Sequence, residues 1–81
     1  MTSEEKTYFE TTDLGLAATI VTLGYELESL DRDNPSRVRF VFKRLGDLDE
    51  VVQAYWRNEL TINPLTYFGN VKLMKNRIYT R

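Results

Sequence analysis

The chain has 81 residues and a formal net charge of −1, with 42% hydrophobic and 28% charged residues. A chain of this size buries roughly 60–65% of its unfolded surface and holds about 4–12 kcal/mol of folding free energy, enough for one modest core and no second domain. It has no Cys and no His, which excludes disulfides, thiolate chemistry, cysteine-ligated zinc, Ser–His–Asp hydrolysis and two-histidine metal sites within one chain.

Ten Phe, Trp and Tyr residues and the small net charge argue against disorder. No uncharged run exceeds the twelve residues of Leu14 to Tyr25, which is too short to span a bilayer. The start, MTSEEKTYFETTD, has no basic n-region and no apolar h-region, so no signal peptide is read there and the cytoplasm is the default location. The charge is uneven along the chain. Residues 1–36 carry eight acids against Lys6 and Arg32, and residues 37–81 carry nine bases against Asp47, Asp49, Glu50 and Glu59. Folding can interleave these halves, so the asymmetry need not become a surface dipole.

Residues 1–6 are expected to form a flexible N-terminus, and residues 7–81 one α+β domain. Thr7 to Thr11 is rich in β-formers and reads as a short strand, with Tyr8 and Glu10 on one face and Phe9 and Thr11 on the other. Thr11-Thr12-Asp13 offers a helix cap and a carboxylate for the positive helix end. The helix that follows, from about Asp13 to Leu23, has Leu14, Ala17, Ala18 and Val21 at helical spacing. Leu16, Ile20 and Leu23 widen that stripe, and Gly24 suits the left-handed residue that ends a helix.

Tyr25 to Leu30 and Arg37 to Arg44 both alternate and are joined by Asp31-Arg32-Asp33-Asn34-Pro35-Ser36, so they read as an antiparallel hairpin with a longer loop. A register with Ser29 opposite Val38 sets Leu27 against Phe40, Tyr25 against Phe42, and Glu28 against Arg39. Gly46 then precedes a helix from Asp47 to about Glu59. Asp47 and Glu50 are placed for a capping box, with Leu48, Val51, Val52, Tyr55 and Trp56 as the apolar stripe. Asn63-Pro64 is a cap and first-turn pair for a third helix, on which Leu65, Phe68, Val71, Met74 or Lys75, and Ile78 are read as the buried side. Gly69 weakens that helix by about 1 kcal/mol relative to Ala. The order is β-α-β-β-α-α, and the simplest two-layer solution is a small, mostly antiparallel three-stranded sheet with helices packed on one face.

Two basic groups stand out. Lys72, Lys75, Arg77 and Arg81 crowd the acid-free C-terminus, where a phosphate backbone or simply the negative end of a helix would account for them. Arg37, Arg39 and Lys43, with Arg44 after them, stud one strand. There they suit either a nucleic-acid backbone or cross-strand pairing with Glu26 and Glu28. Tyr55, Trp56, Tyr67 and Phe68 read mainly as core, with Tyr67 left as the interface residue because Leu65 and Phe68 define the buried side. Asp31, Asp33 and Asn34 lack the Gly and later Glu of a calcium loop and read as a solvated turn. No catalytic residue, metal site or cofactor is expected.

The strings Phe9-Glu10-Thr11-Thr12-Asp13-Leu14 with Ala17-Ala18, Gly24-Tyr25-Glu26-Leu27, Arg37-Val38-Arg39-Phe40-Val41-Phe42 and Ala54-Tyr55-Trp56 make a pattern, TxDLxLAA…GYEL…FxF…AYW. With Glu59-Leu60, Pro64-Leu65 and Tyr67-Phe68 it resembles a family of short bacterial and phage proteins classed as a domain of unknown function, over about Tyr8 to Tyr79. The resemblance implies a small, stand-alone protein, often near mobile elements, and brings no catalytic residue. The function expected is that of a non-enzymatic accessory protein of a bacterial or phage mobile-element system. It would join a protein or ribonucleoprotein partner and contact a DNA or RNA backbone through Arg37, Arg39, Lys43, Lys72, Lys75 and Arg77, with no membrane involved. The alternatives are a protein-only homodimeric module using a sheet edge or Tyr67, and a phage inhibitor that mimics nucleic acid through its acidic half.

Overall fold

Six elements follow in the expected order: β1 (Tyr8–Thr11), α1 (Leu14–Thr22), β2 (Leu27–Asp31), β3 (Arg39–Lys43), α2 (Leu48–Trp56) and α3 (Pro64–Tyr79). This computed structural model describes residues 8–34 and 36–79; the N-terminal residues 1–6, Thr7, Pro35, Thr80 and Arg81 lie outside the described residues. The fold is α+β, with one open antiparallel sheet of order β1-β3-β2. The most apolar strand, β3, is thus the central one.

α1 starts where the sequence says it should. Thr11 Oγ1 accepts the Asp13 N–H at 3.0 Å, and Asp13 Oδ1 accepts the Leu16 N–H at 2.9 Å, so the cap is Asp13 rather than a Thr. It ends in a Schellman turn. Gly24 sits at φ 105°, its N–H donates to Val21 O, and the Tyr25 N–H reaches back to Ile20 O. Between these ends Leu16, Ala17, Ala18, Thr19 and Ile20 are all buried, against Phe40 and Phe42 of β3, Leu48 of α2 and Met74 of α3.

The hairpin register differs from the expected one. Leu27 faces Phe42, Ser29 faces Val41, Leu30 faces Phe40 and Asp31 faces Arg39, with a bulge between Leu27 and Ser29. Strict alternation would send Leu30 outward if Leu27 pointed in. The extra residue resets the parity, so both leucines pack on the core and both Glu28 and Ser29 are exposed. Tyr25 is outside the strand altogether. On the other edge, Phe9 faces Phe42 and Glu10 faces Val41, so β1 divides its faces as expected.

The stripe on α3 also differs. Tyr67, Val71, Met74 and Ile78 turn inward, while Leu65 is 83% exposed and Phe68 57%. From Leu65 to Met74 the expected ladder advances by three residues at each step, which drifts about 60° per step and puts Leu65 and Met74 on opposite sides of the helix. The 4-3-4 spacing of Tyr67, Val71, Met74 and Ile78 keeps one face. Asn63 does cap this helix, its Oδ1 accepting the Thr66 N–H at 3.0 Å. Trp56, expected in the α2 stripe, is 63% exposed, because it lies at the margin of that stripe in the last residue of a short helix.

α2 closes on Asn58, held at φ 64°, with the Asn58 N–H donating to Tyr55 O and the Glu59 N–H to Ala54 O. Asn tolerates this left-handed conformation better than other side chains. Replacing it with Ala should cost about 1 kcal/mol, whereas Asn58→Gly should leave stability equal or higher, both read from urea midpoints. Phe42→Ala, at a fully buried position of the central strand, should lose about 3–5 kcal/mol and bring so small a domain near its unfolding threshold.

Candidate functional site

The six basic residues singled out in the sequence do not form one surface. Arg39 and Lys43 lie on the face of the sheet turned away from the helices, Arg39 opposite Asp31 and Lys43 opposite Tyr8, with Glu10 opposite Val41 between them. There Arg39 is held by two carboxylates, Glu10 at 3.2 Å from one edge strand and Asp31 at 3.8 Å from the other. The expected cross-strand partner, Glu28, has been turned to a different position by the bulge. Lys43 shares a shallow depression with Glu26 and Glu28. The outer sheet face therefore carries mixed charge. Arg39 also sits between Glu10 and Asp31, where an acidic mimic of nucleic acid would need an unbroken row of carboxylates.

Lys72 and Lys75 are different. Both are exposed on the outer side of α3, about 60° apart around its axis, with Phe68 and Tyr79 on the same side. The Lys72 ammonium stands over the Phe68 ring, 4.9 Å from its centroid, an i, i+4 cation–π contact. Tyr79 is 79% exposed, and Arg37 borders the same depression as Ile78 and Tyr79, so Arg37 adds a base near the C-terminal end of this face. Arg77 lies about 140° around the helix from Lys72 and borders a groove with Leu30, Arg32 and Leu73. No acid occurs in the 22 residues from Leu60 to Arg81, so nothing on this helix offsets its lysines.

A sequence family described as a domain of unknown function, DUF5659, matches residues 6–80. The chain belongs to that family. No curated protein and no solved structure matches it. In this DUF5659 domain no described helix is long and apolar enough to cross a membrane.

Three features were not read from the sequence. Arg32 donates to the backbone carbonyls of Arg77 and Ile78, which pins the hairpin loop to the C-terminal end of α3 and puts a cation at its negative pole. Asp31 and Asn34 serve the same loop, accepting the N–H groups of Asp33 and Ser36. Tyr67 turns toward α1 and lines a cleft with Tyr55 and Trp56, beside Gly15. Gly15 was the available signal, since a glycine in the first turn of a helix often marks a close approach.

Asp47 heads α2 but makes no side-chain cap bond, so the expected capping box is absent. Its Oδ1 instead accepts the Tyr25 hydroxyl at 2.6 Å, joining the start of the hairpin to α2. This bond holds the Asp47 carboxyl below its ordinary range and, with some burial, pushes the Tyr25 phenol up. The lowered carboxyl gives a contribution that is fully present above the ordinary aspartate range and lost as pH falls through its lowered folded value. The raised phenol gives one that is present below about pH 10 and lost as pH rises through its folded value. Melting temperature should therefore fall at both ends, and Tyr25→Phe should flatten both shoulders in a pH series of thermal melts.

Proposed function

We propose that this domain is a non-enzymatic accessory module that docks single-stranded nucleic acid, as part of a ribonucleoprotein, along the outer face of α3. The observation that carries the reading is the pairing of basic and aromatic groups on one uncovered helix face. Lys72 and Lys75 supply charge to a phosphate backbone, and Phe68 and Tyr79 supply flat rings on which bases stack. Phe68 and Tyr79 are eleven residues apart, about 16 Å along the axis, which suits an extended strand better than a compact ligand. Arg37 extends the basic surface at one end. Arg39 and Lys43 have no part in it, because they lie on the other layer among acids. A bacterial or phage mobile-element setting, implied by the family resemblance, belongs to the same proposal.

Leu65 and Leu73 favour a second reading, since they add exposed apolar area to α3 that a nucleic acid does not need. On that reading α3 packs against a protein, or against a second copy of this chain.

Fluorescence anisotropy of labelled 20-mers, single- and double-stranded, separates the two. Single strands should bind saturably, with log K falling by about 0.7 per neutralised phosphate for each unit of log salt. Lys72→Glu with Lys75→Glu should abolish most of that binding. Phe68→Ala should weaken it by about 1–3 kcal/mol while keeping the salt slope. Absence of binding at low salt would overturn the nucleic-acid reading, and a mass above monomer in light scattering would then favour the protein interface.

A further inference from the structure

A second concave site lies where the end of α2, the 57–63 connection and the start of α3 meet α1. It is a cleft of about 520 Å³ lined by Thr19, Tyr55, Trp56, Leu60, Ile62 and Tyr67, with no basic side chain among its lining. Tyr55 and Trp56 stand edge to face, their centroids 5.0 Å apart. At one side three oxygens surround a single point. A Cβ built on Gly15 would lie 2.9 Å from the Tyr55 hydroxyl and 3.3 Å from both the Tyr67 hydroxyl and Asp13 Oδ1. The missing side chain at position 15 is what leaves room between them.

The Asp13 carboxylate supplies the negative charge here, at the N-terminal and therefore positive end of α1. Asp13 Oδ1 accepts the Leu16 N–H, and Oδ2 has no partner among the described residues. Neither phenol donates a hydrogen bond among the described residues. The rim is formed by the C-terminal end of α2, the negative pole of that helix. The faces of Tyr and Trp rings are themselves electron-rich. Burial, the Asp13 carboxylate and the Tyr67 phenol together push the Tyr55 phenol above its ordinary range. Burial opposes a charge of either sign, so the part of this shift that speaks for a cation is the one due to the Asp13 carboxylate.

We infer that this cleft binds an organic cation, an alkylated ammonium or a guanidinium, held by the rings of Tyr55, Trp56 and Tyr67 and by the charge of Asp13. Its source is either a free small cation or a lysine or arginine side chain of a protein. The site is independent of the α3 outer face, and nucleic acid competes for neither its rings nor its carboxylate.

Trp56 is the one tryptophan of the chain, so its fluorescence reports occupancy directly. The probes are choline and its neutral isostere 3,3-dimethylbutan-1-ol, titrated into the full chain at constant ionic strength. Choline should give a saturable change, with the isostere at least about tenfold weaker, as a desolvated cation–π contact allows. Asp13→Asn should keep the fold, because Asn caps a helix as well as Asp, and should weaken choline about tenfold. Tyr67→Phe should preserve the choline site, and Gly15→Ala should weaken it by placing a methyl group between the three oxygens. A peptide bearing trimethyl-lysine that binds more tightly than choline, while its acetyl-lysine counterpart does not bind, assigns the cation to a protein side chain. Choline binding without that gain assigns it to a free cation. Equal affinity for choline and its isostere, an unchanged affinity in Asp13→Asn, or no saturable response to any cation at millimolar concentration would overturn the inference.

Discussion

Five consecutive residues of α1, Leu16 to Ile20, are shut off from water, and the other elements are arranged by how they cover them. A helix buried on so much of its circumference cannot be amphipathic in the usual sense. It needs small residues where a neighbour comes close, which Ala17 and Ala18 supply. It also needs internal partners for its polar groups. The buried Thr19 hydroxyl donates to Gly15 O at 2.8 Å, and the Thr22 hydroxyl donates to Ala18 O at 2.7 Å while accepting from the Asn70 amide of α3 at 2.9 Å. A buried hydroxyl without such partners would cost about 1–3 kcal/mol. The Asn70–Thr22 bond also fixes how α3 lies against α1.

The cover over α1 is complete on the inside and leaves two surfaces free. One is the outer face of the sheet, where Arg39 joins both edge strands through Glu10 and Asp31 across an otherwise unprotected layer. Those exposed pairs add little to stability, but they place opposite charges close together and leave that face with no single sign. The other free surface is the outer side of α3, which covers the core with Tyr67, Val71, Met74 and Ile78 and turns Leu65, Phe68 and Lys72 to solvent. A helix with apolar residues on both sides fits a docking role better than a purely structural one. The phenol-lined cleft beside Gly15 belongs to neither surface.

Much of the architecture was legible from local chemistry. The start of α1, the cap at Asn63, the left-handed Gly24, the two-faced β1 and the apolar centre of β3 each follow from residues within a few positions of one another. The signals that failed were those in which two local patterns competed. On α3 an i+3 ladder and a 4-3-4 ladder share Val71, Met74 and Ile78, and only the presence of α1 along one side decides between them. On β2 the alternation from Tyr25 was clean in the sequence, yet the gain from burying both Leu27 and Leu30 outweighed one unpaired residue. At Asp47 the capping-box spacing was correct, but a tyrosine 22 positions earlier took the carboxylate.

The sequence by itself therefore determined the order and type of the elements, because propensity, caps and hydrophobic period are properties of neighbouring residues. It also determined that the C-terminal helix is basic, since no acid follows Glu59. Only the tertiary structure decided which bases share a face, that Arg39 is held between two carboxylates, and that Phe68 is outside while Tyr67 is inside. Those outcomes depend on the rotation of each helix about its axis and on the pairing of strands distant in the chain. Both are fixed by contacts that form only when the whole core closes over α1.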